Sequence, residues 1–248
     1  MENNKKTALI TGSSRGIGEA SAKALARCGF STIALIARKD NDGLLTVKSD
    51  IEKDCPDTKV LAYLGDVADE AFIDRLSKDI LEKEGRLDVL VNNAAVSHVG
   101  LLQDMTLTEW HRIMDVNLTS VFLLSRAFIP PMLQNGGGRI INISSMWGRA
   151  GASCEAAYSA SKGGVEALTK SLAKELSRSN IAVNAIAPGV VDTVMNDNLS
   201  KEEKEALSEE IPIGRFASPE EIADLVCYLA KAPLYLTGQV IGIDGGFI

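Results

Sequence analysis

The chain has 248 residues, of which 46% are hydrophobic and 24% are charged, and its formal net charge is −7. This apolar content is enough to bury a sizeable core, which excludes intrinsic disorder as the main state. The acidic balance argues against nucleic acid as a partner. We also expect no membrane association, with no apolar run approaching the ~18 residues of a membrane span.

The amino-terminal segment and the cysteines indicate a cytoplasmic protein. Residues 1–11 contain no apolar stretch long enough for a signal peptide. The four cysteines, Cys28, Cys55, Cys154 and Cys227, are widely spaced and form no CxxC pair. We therefore expect four free thiols in a reducing cytosol and no metal site.

Short apolar or β-branched runs alternate with longer segments of helical pattern. We predict seven strands, over Thr7–Thr11, Thr32–Ala37, Val60–Leu64, Asp88–Val91, Arg139–Ile143, Ile181–Ala187 and Val240–Ile243. This alternation predicts an α/β fold with a doubly wound, Rossmann-like, mostly parallel seven-stranded sheet and helices on both faces. No linker or repeat interrupts it, so residues 1–248 are predicted to form a single domain. The charged segment 190–216 is either a solvated surface helix or a substrate lid at the strand ends.

A glycine-rich turn follows the first predicted strand and leads directly into a helix. Its sequence is Gly12-Ser13-Ser14-Arg15-Gly16-Ile17-Gly18. Glycines at these positions let the backbone turn sharply and let a pyrophosphate approach the N-terminus of the helix. Because the turn lies between the first strand and the first helix, it predicts a dinucleotide-binding site.

The end of the second strand indicates which dinucleotide binds. An acidic residue there would hydrogen-bond the ribose 2′-hydroxyl of NAD, whereas an arginine suits a 2′-phosphate. Arg38 occupies this place, and Arg15 with the Ser13 hydroxyl would complete a phosphate clamp. Asp40 is expected to follow too late to reach the ribose. We therefore predict NADP(H) as the cofactor.

Tyr158 and Lys162 are four residues apart at the start of a predicted helix, so both lie on one face. An ammonium beside a phenol is expected to lower the pKa of the tyrosine from about 10 toward neutrality. Such a tyrosine donates a proton to a carbonyl oxygen or removes one from an alcohol. Ser145 ends the fifth strand and is expected to hydrogen-bond the same substrate oxygen, whereas Ser144 points the other way.

Asn117 is a further candidate. It lies in the middle of a predicted helix between the apolar residues Val116 and Leu118. Because asparagine is a mediocre helix former, we expect a buried residue that bends the helix or holds a water. An exposed polar position is the simpler alternative.

Taken in order, these motifs resemble the short-chain dehydrogenase/reductase family over nearly the whole chain. The matching elements are Thr11-Gly12-x3-Gly16-x-Gly18, Asp66, Asn92-Asn93-Ala94, Asn117, Ser145, Tyr158-x3-Lys162 and Pro188-Gly189. The resemblance implies hydride transfer from the cofactor to a carbonyl carbon, with proton donation from Tyr158. It also implies a homotetramer, or at least a dimer.

The resemblance further implies how the adenine half of the cofactor is held. Asp66 and Val67 would contact the adenine ring. Asn92 would hold the fourth strand against the glycine turn, and Ala94 would lie beside the ribose.

For the nicotinamide half, the resemblance implies that Lys162 binds the ribose hydroxyls and that Asn117 holds a water in a proton relay to Lys162. Val191 and Thr193, which follow Pro188-Gly189, would fix the carboxamide so that one nicotinamide face meets the substrate.

The sequence leaves several possibilities open for the identity of the carbonyl substrate. The carboxyl-terminal Gly238-Gln239-x4-Asp244-Gly245-Gly246 resembles reductases that act on 3-oxoacyl chains of an acyl carrier protein. Those enzymes place basic docking residues near the ends of two helices, where this chain has Gln134-Asn135 and Arg178, which weakens carrier docking as an inference.

Residues 144–155 instead resemble reductases that act on a 5-aminopentanone group on elongation factor P. Glu155 would suit the amine of that group, although a charge at a helix N-terminus explains the residue equally well. A small-molecule ketone and a non-catalytic NADP sensor are further alternatives, the last disfavoured because Tyr158 and Lys162 are both present. Trp147 is expected either to wall the substrate pocket or to pack as a structural aromatic, and Cys154 to pack as an inert thiol.

Overall fold

The structure is a computed structural model that describes residues 5–196 and 200–248. Its seven strands are β1 (Thr7–Thr11), β2 (Thr32–Ala37), β3 (Lys59–Leu64), β4 (Val89–Asn92), β5 (Gly138–Ile143), β6 (Ile181–Pro188) and β7 (Val240–Ile243). They form one sheet in the order β3-β2-β1-β4-β5-β6-β7, and every pairing is parallel. The predicted fold is confirmed, and each predicted strand limit lies within about one residue of the observed one.

The α-helices of the described residues are α1 (Gly16–Arg27), α2 (Asn41–Asp54), α3 (Glu70–Glu84), α4 (Leu107–Met114), α5 (Ser120–Gln134), α6 (Trp147–Ala150), α7 (Ala156–Leu176), α8 (Lys201–Glu210) and α9 (Pro219–Lys231). One face of the sheet packs against α1, α2 and α9, and the other against α3, α5 and α7. Because both faces are covered, every residue of β1, β2, β4 and β6 is buried.

Helix limits follow from local side-chain chemistry. The Ser218 hydroxyl accepts a hydrogen bond from the Glu221 N–H at 3.3 Å, and the Glu221 carboxylate accepts one from the Ser218 N–H at 2.8 Å, so α9 begins with a capping box. Pro219 fills the first position of α9, where a missing N–H costs nothing. After α1, Gly29 has a φ of +89°, a conformation that glycine adopts without strain.

Two of the four cysteines are paired. Cys28, directly after α1, and Cys227 of α9 form a disulfide, so the prediction of four free thiols is wrong for this pair. Cys55 and Cys154 are free. The sequence could not show the pairing because the two residues are 199 positions apart, and only the packing of α1 against α9 brings them together.

The expected absence of a membrane-length apolar run is also wrong. Residues 107–134, from α4 through α5, are long and apolar enough to cross a membrane by length and composition alone. Half of the most apolar window is buried within the fold, and Phe128 and Met132 belong to the core beneath the sheet. The core helix of a folded domain can be as long and as apolar as a membrane span, and this degree of burial is typical of such a helix.

The segment predicted as a lid, 190–216, contains α8. This helix starts with a capping box at Ser200 and buries none of its residues, which fits the surface-helix alternative. Residues 197–199 lie outside the described residues. Closure over a substrate stays a prediction.

Candidate active site

The carboxyl ends of β1, β4, β5 and β6 meet at one edge of the sheet. The strand order reverses between β1 and β4, because the chain moves outward from β1 to β2 and β3 and then returns to β4 on the other side of β1. Ligands of open α/β sheets bind in the crevice at this point. The predicted site residues follow the ends of these strands.

The turn between β1 and α1 is packed so closely that it requires glycine. Gly12 and Gly16 have φ values of +63° and +58°. A Cβ atom on Gly18 would lie 2.6 Å from Asn93 Nδ2, and closer still to the Gly12 carbonyl oxygen. Arg15, which precedes α1, provides no side-chain cap, so the first N–H groups of α1 can donate hydrogen bonds to an anion instead.

Ser13 does not face the ligand side of this turn. Its Oγ atom donates to the carbonyl oxygen of Ile36 at 3.2 Å and accepts from the Ile36 N–H at 2.9 Å, and the residue is buried. The expectation that its hydroxyl binds a 2′-phosphate is therefore wrong. Ser13 instead ties the glycine turn to β2.

Ser14, Arg15 and Arg38 form the outer rim of the turn. Both arginines are exposed, and neither has a salt-bridge partner among the described residues. A hydrogen bond from the Ser14 hydroxyl, one from the Gly43 N–H and the nearby Arg15 charge together lower the pKa of Asp40. Asp40 therefore interacts with Ser14 and Arg15 of this rim, and its distance from a bound ribose stays a prediction. The two guanidinium groups, neither of them in a salt bridge with a described residue, fit a phosphate group.

Asp66 and Val67 follow β3, and Val67 is buried. The Asp66 carboxylate accepts hydrogen bonds from the Ala68 N–H at 3.0 Å and from Arg112 Nη1 at 2.7 Å. Burial acts to raise the pKa of Asp66, but these two bonds and the charges of Arg112 and Arg38 outweigh it and lower the pKa. Sequence reasoning missed Arg112, which lies on α4, 46 positions from Asp66.

Asn93, rather than Asn92, holds β4 against the glycine turn. Asn93 Nδ2 donates to the carbonyl oxygens of Thr11 at 2.8 Å and Gly12 at 3.1 Å. The Thr11 hydroxyl accepts from the N–H groups of Asn93 and Ala94, both at 2.9 Å, which places Ala94 beside the turn. Asn92 instead bonds another asparagine in the core. The role inferred for Asn92 is therefore wrong by one residue, and the alternation of side chains along a strand was the signal that distinguishes the two.

The loop after β6 closes the site from the other side. Pro188 is the last residue of β6, and a Cβ atom on Gly189 would lie 2.7 Å from the backbone that follows β7. Val191 is buried. Thr193 lies against the glycine turn, because its Cγ2 atom would be 3.2 Å from a Cβ atom on Gly16. The structure thus brings this loop and the glycine turn together.

Ser145, Tyr158 and Lys162 form one buried cluster at the same edge of the sheet. Ser145 follows β5; its hydroxyl accepts a hydrogen bond from the Trp147 N–H at 3.2 Å and lies close enough to the Tyr158 hydroxyl to lower the pKa of that phenol. Lys162 Nζ lies 5.6 Å from the centre of the Tyr158 ring and donates to the Ile143 carbonyl oxygen at 2.7 Å. The Ser144 hydroxyl does not bond the Tyr158 hydroxyl; it lies 3.0 Å from Glu166 Oε1 and 3.4 Å from the Lys162 carbonyl oxygen, both on α7.

The electrostatics of the cluster differ from the sequence-based expectation. The pKa of Tyr158 is raised to about 12, chiefly by burial, with the Ser145 bond opposing the shift and the Glu155 charge adding to it. Burial also lowers the pKa of Lys162 to about 8. The expectation that Lys162 brings the tyrosine pKa toward neutrality is therefore wrong, because desolvation of the phenol dominates. Tyr158 is neutral near pH 7, the state that donates a proton.

Asn117 lies in a π-helical turn, Asp115–Thr119, that joins α4 to α5. Its Oδ1 atom accepts from the Val96 N–H at 2.8 Å, and its Nδ2 atom donates to the Val96 carbonyl oxygen at 2.9 Å and to Ser161 Oγ at 3.1 Å. The prediction of a buried asparagine at an irregular helical turn is confirmed. Its place in a proton relay stays a prediction.

Three residues in the segment between β5 and α7 are close in sequence to Ser145 and Tyr158. The Trp147 ring packs edge-to-face on Phe247, with 5.9 Å between ring centres, as a structural aromatic does. Cys154 is a half-buried free thiol with a φ of +63°. Glu155, directly before α7, is half-buried, its side-chain carboxylate forms no hydrogen bond or salt bridge with a described residue, and burial raises its pKa.

These residues fit a nicotinamide dinucleotide. The glycine turn is a cradle that side chains would fill, two arginines without a salt bridge to a described residue border it, and the Ser145–Tyr158–Lys162 cluster lies at the same sheet edge. Within residues 5–196 and 200–248, no group of three His, Cys, Asp or Glu side chains could hold a metal ion.

A Rossmann-like sheet with a phosphate-binding turn at its switch point, and a buried proton donor beside it, define an oxidoreductase that uses a nicotinamide cofactor. The sequence profile of the short chain dehydrogenase family matches residues 6–204. The chain belongs to this family, and the resemblance inferred from the motifs is confirmed.

Relatives of known name cover almost the whole chain. The chain is 40% identical over 245 residues to the 3-oxoacyl-[acyl-carrier-protein] reductase of Synechocystis sp., a match that spans 98% of this chain and 97% of that one. It is also 40% identical to the enzyme of the same name from Thermotoga maritima, with 98% of each chain covered. A Bacillus subtilis protein named uncharacterized oxidoreductase YmfI is 37% identical, again with 98% of each chain covered.

Solved structures of similar fold support the family assignment. An actinorhodin polyketide ketoreductase variant crystallised with NADPH superposes with a TM-score of 0.92 at 34% identity, and the match covers 98% of this chain and 97% of that one. A Beutenbergia cavernae protein, provisionally assigned as an NAD(P)-dependent gluconate 5-dehydrogenase and holding NADP, gives a TM-score of 0.91 at 36% identity, with 98% and 96% covered.

Proposed function

We propose that this protein uses NADPH to reduce the 3-oxo group of an acyl thioester to a 3-hydroxy group, with the acyl chain carried by an acyl carrier protein. The observation that carries the proposal is the buried Ser145–Tyr158 pair beside the cofactor cradle, on a chain 40% identical to 3-oxoacyl-[acyl-carrier-protein] reductases over nearly its full length. The cations at Arg15 and Arg38, and relatives solved with NADP or NADPH, support the choice of cofactor.

The chain supplies position and charge, and NADPH, when bound, supplies the hydride. Residues Gly12–Gly18 would receive the pyrophosphate, and Arg15 and Arg38 the 2′-phosphate. Asp66 would contact the adenine, and Lys162 the nicotinamide ribose. The loop after β6 would hold the carboxamide.

Proton transfer is the task of the buried cluster. Ser145 hydrogen-bonds the substrate carbonyl oxygen and orients it toward Tyr158. As negative charge develops on that oxygen, the neutral Tyr158 hydroxyl donates its proton, because an alkoxide is a far stronger base than a phenolate. The Lys162 ammonium, 5.6 Å from the ring centre, then stabilises the phenolate.

A cluster of positive charge lies at the edge of the sheet opposite the active site, where it would attract an acidic carrier protein without contacting the reacting groups. Residues 134–135 are uncharged, which argues against docking there. However, Lys6, Arg86 and Arg139 line a surface cavity at the turns that follow α5 and α7. Arg86 pairs with Asp88, whereas Arg139 has no salt-bridge partner among the described residues. These cations would attract an acidic carrier protein.

The test compares two forms of the same substrate. NADPH consumption is measured with an acetoacetyl group on acyl carrier protein and on a small thiol. We expect both to be reduced, and Lys6→Glu to raise KM for the carrier-bound form alone. Lys53→Glu, a charge reversal on exposed α2 surface, is the control and should change neither KM. Failure to reduce either thioester would refute the proposed function.

One observation favours a second function. Glu155 is a half-buried carboxylate without a partner among the described residues, and its charge acts on Tyr158. An acyl chain carries no cation that could pair with this carboxylate, whereas the ammonium group of an amino ketone would form a salt bridge with it. The second candidate is therefore reduction of a 5-aminopentanone group on modified elongation factor P, or of a small amino ketone.

A parallel assay separates the two functions. Acetoacetyl-carrier protein and 5-aminopentanone-modified elongation factor P are supplied under identical conditions with NADPH. Turnover of the second substrate alone would move this function to first place. In that case Glu155→Gln should raise KM for the amine-bearing ketone and leave KM for the thioester unchanged.

We further propose that the protein works in the cytoplasm as a homotetramer and that segment 190–216 covers the bound substrate. The family supports the assembly, and exposed apolar side chains on α5, such as Phe122 and Leu133, support a subunit contact. Light scattering on the purified protein should give four times the chain mass of 26.5 kDa.

A further inference from the structure

Glu166 is a buried carboxylate that proton transfer to the substrate does not use. It lies on α7, one turn after Lys162 and two turns after Tyr158, so it shares their helix face. The residue is 5% exposed. Buried carboxylates are rare unless they are paired or hydrogen-bonded, so its partners indicate its role.

Both partners of Glu166 belong to the segment that carries Ser145. The Ser144 hydroxyl donates to Glu166 Oε1 at 3.0 Å. Arg149 of α6 places its Nε atom 4.0 Å from Glu166 Oε2 and donates a hydrogen bond to a backbone carbonyl of β7. Glu166 therefore links residues 144–149 to α7 on both sides of Ser145.

Gly148 allows this link to be direct. A Cβ atom at Gly148 would lie 2.9 Å from Glu166 Oε1, 3.0 Å from Ser144 Oγ and 3.1 Å from the carbonyl carbon of Lys162. The short helix α6 thus packs on the backbone of α7 without an intervening side chain. At such close packing, displacement of one element is transmitted to the other.

We propose that Glu166 is a positioning residue that fixes residues 144–149 against α7 and so sets the alignment of the Ser145 and Tyr158 hydroxyls. The inference rests on the proposed carbonyl reduction but on no particular substrate. Groups that act together on one oxygen must keep their geometry closely, and a displacement of about 1 Å costs up to about a hundredfold in rate.

The test uses ethyl acetoacetate, a small ketone that avoids carrier docking. Glu166→Leu removes the acceptor for Ser144, and we expect kcat to fall about tenfold or more while the Kd for NADPH stays within about twofold. Glu166→Gln keeps an acceptor oxygen, and we expect it to restore kcat to within about threefold of wild type. Ser144→Ala removes the donor with little change in volume and should lower kcat as Glu166→Leu does.

The controls separate this proposal from its alternatives. Glu175→Leu, on the exposed face of α7, should leave kcat unchanged. A kcat for Glu166→Leu within about twofold of wild type, or losses in kcat matched by equal losses in NADPH affinity, would overturn the positioning role. If Glu166→Leu fails to fold, kcat and the NADPH affinity of Ser144→Ala test the positioning role by the same criteria. The wild-type rate tests the proposed reduction, whereas the ratio of variant to wild type tests Glu166.

Discussion

The ammonium group of Lys162 lies 5.6 Å from the centre of the Tyr158 ring, and both side chains are almost completely buried. Burial raises the pKa of Tyr158 to about 12 and lowers that of Lys162 to about 8. At neutral pH the lysine is therefore charged and the tyrosine is not. This combination favours donation of a proton to a carbonyl oxygen over its removal from an alcohol.

Turnover of a ketone should fall as the pH rises through about 8. Lys162 loses its proton in this range because burial lowers its pKa to about 8, whereas Tyr158 stays protonated up to about 12. A neutral amine no longer stabilises the phenolate. Lys162→Arg keeps the charge at higher pH and should move the decline upward, although its overall rate is lower. The measurement is kcat/KM from about pH 6 to about pH 10, and an unmoved decline in the arginine variant would contradict the assignment.

Tyr158→Phe should abolish reduction without weakening cofactor binding. The substitution removes the proton donor but keeps the ring that packs beside Lys162, so we expect kcat to fall about a hundredfold or more. The Kd for NADPH, followed by its fluorescence, should stay within about twofold. Tyr228→Phe, at an exposed position of α9, is the matched control. Turnover near the wild-type rate would remove Tyr158 from its role.

The sequence predicted the sheet and the cluster well because both depend on short-range signals. Buried parallel strands appear as apolar runs, as in β1 and β2, and a close turn requires glycine. The spacing of Tyr158 and Lys162 fixes them on one helix face whatever the tertiary context. These features needed no knowledge of which elements pack together.

The predictions that were wrong or incomplete concern features that depend on the direction of the backbone or on packing between elements distant in sequence. Ser13 and Ser14 are adjacent, and only the turn geometry shows that Ser13 bonds Ile36 of β2. The salt bridge from Arg112 to Asp66 depends on α4 reaching the end of β3. The raised pKa of Tyr158 depends on how deeply the fold buries it, which spacing alone does not reveal.

NADPH should be preferred over NADH because Arg15 and Arg38 border the site without salt-bridge partners among the described residues. Arg38→Asp should lower the ratio of kcat/KM for NADPH to that for NADH by about tenfold to a hundredfold, since an acidic residue repels the 2′-phosphate and suits a free ribose hydroxyl. Ser13→Ala is an informative control: its hydroxyl bonds Ile36, so the ratio should not change. A wild-type preference for NADH would contradict the role of the arginines.

Gly18→Ala should destroy the cofactor cradle. The added Cβ atom would lie 2.6 Å from Asn93 Nδ2 and closer still to the carbonyl oxygen of Gly12, and that backbone oxygen cannot move without displacing the turn. We expect the free energy of unfolding to fall by about 1–3 kcal/mol and NADPH affinity to fall about tenfold or more. Gly85→Ala is the matched control, because Gly85 has a φ of +72° but open space around it, and it should cost about 1 kcal/mol without changing NADPH affinity. Calorimetry and fluorescence titration measure the two quantities, and normal affinity in Gly18→Ala would show that the cofactor does not depend on this turn.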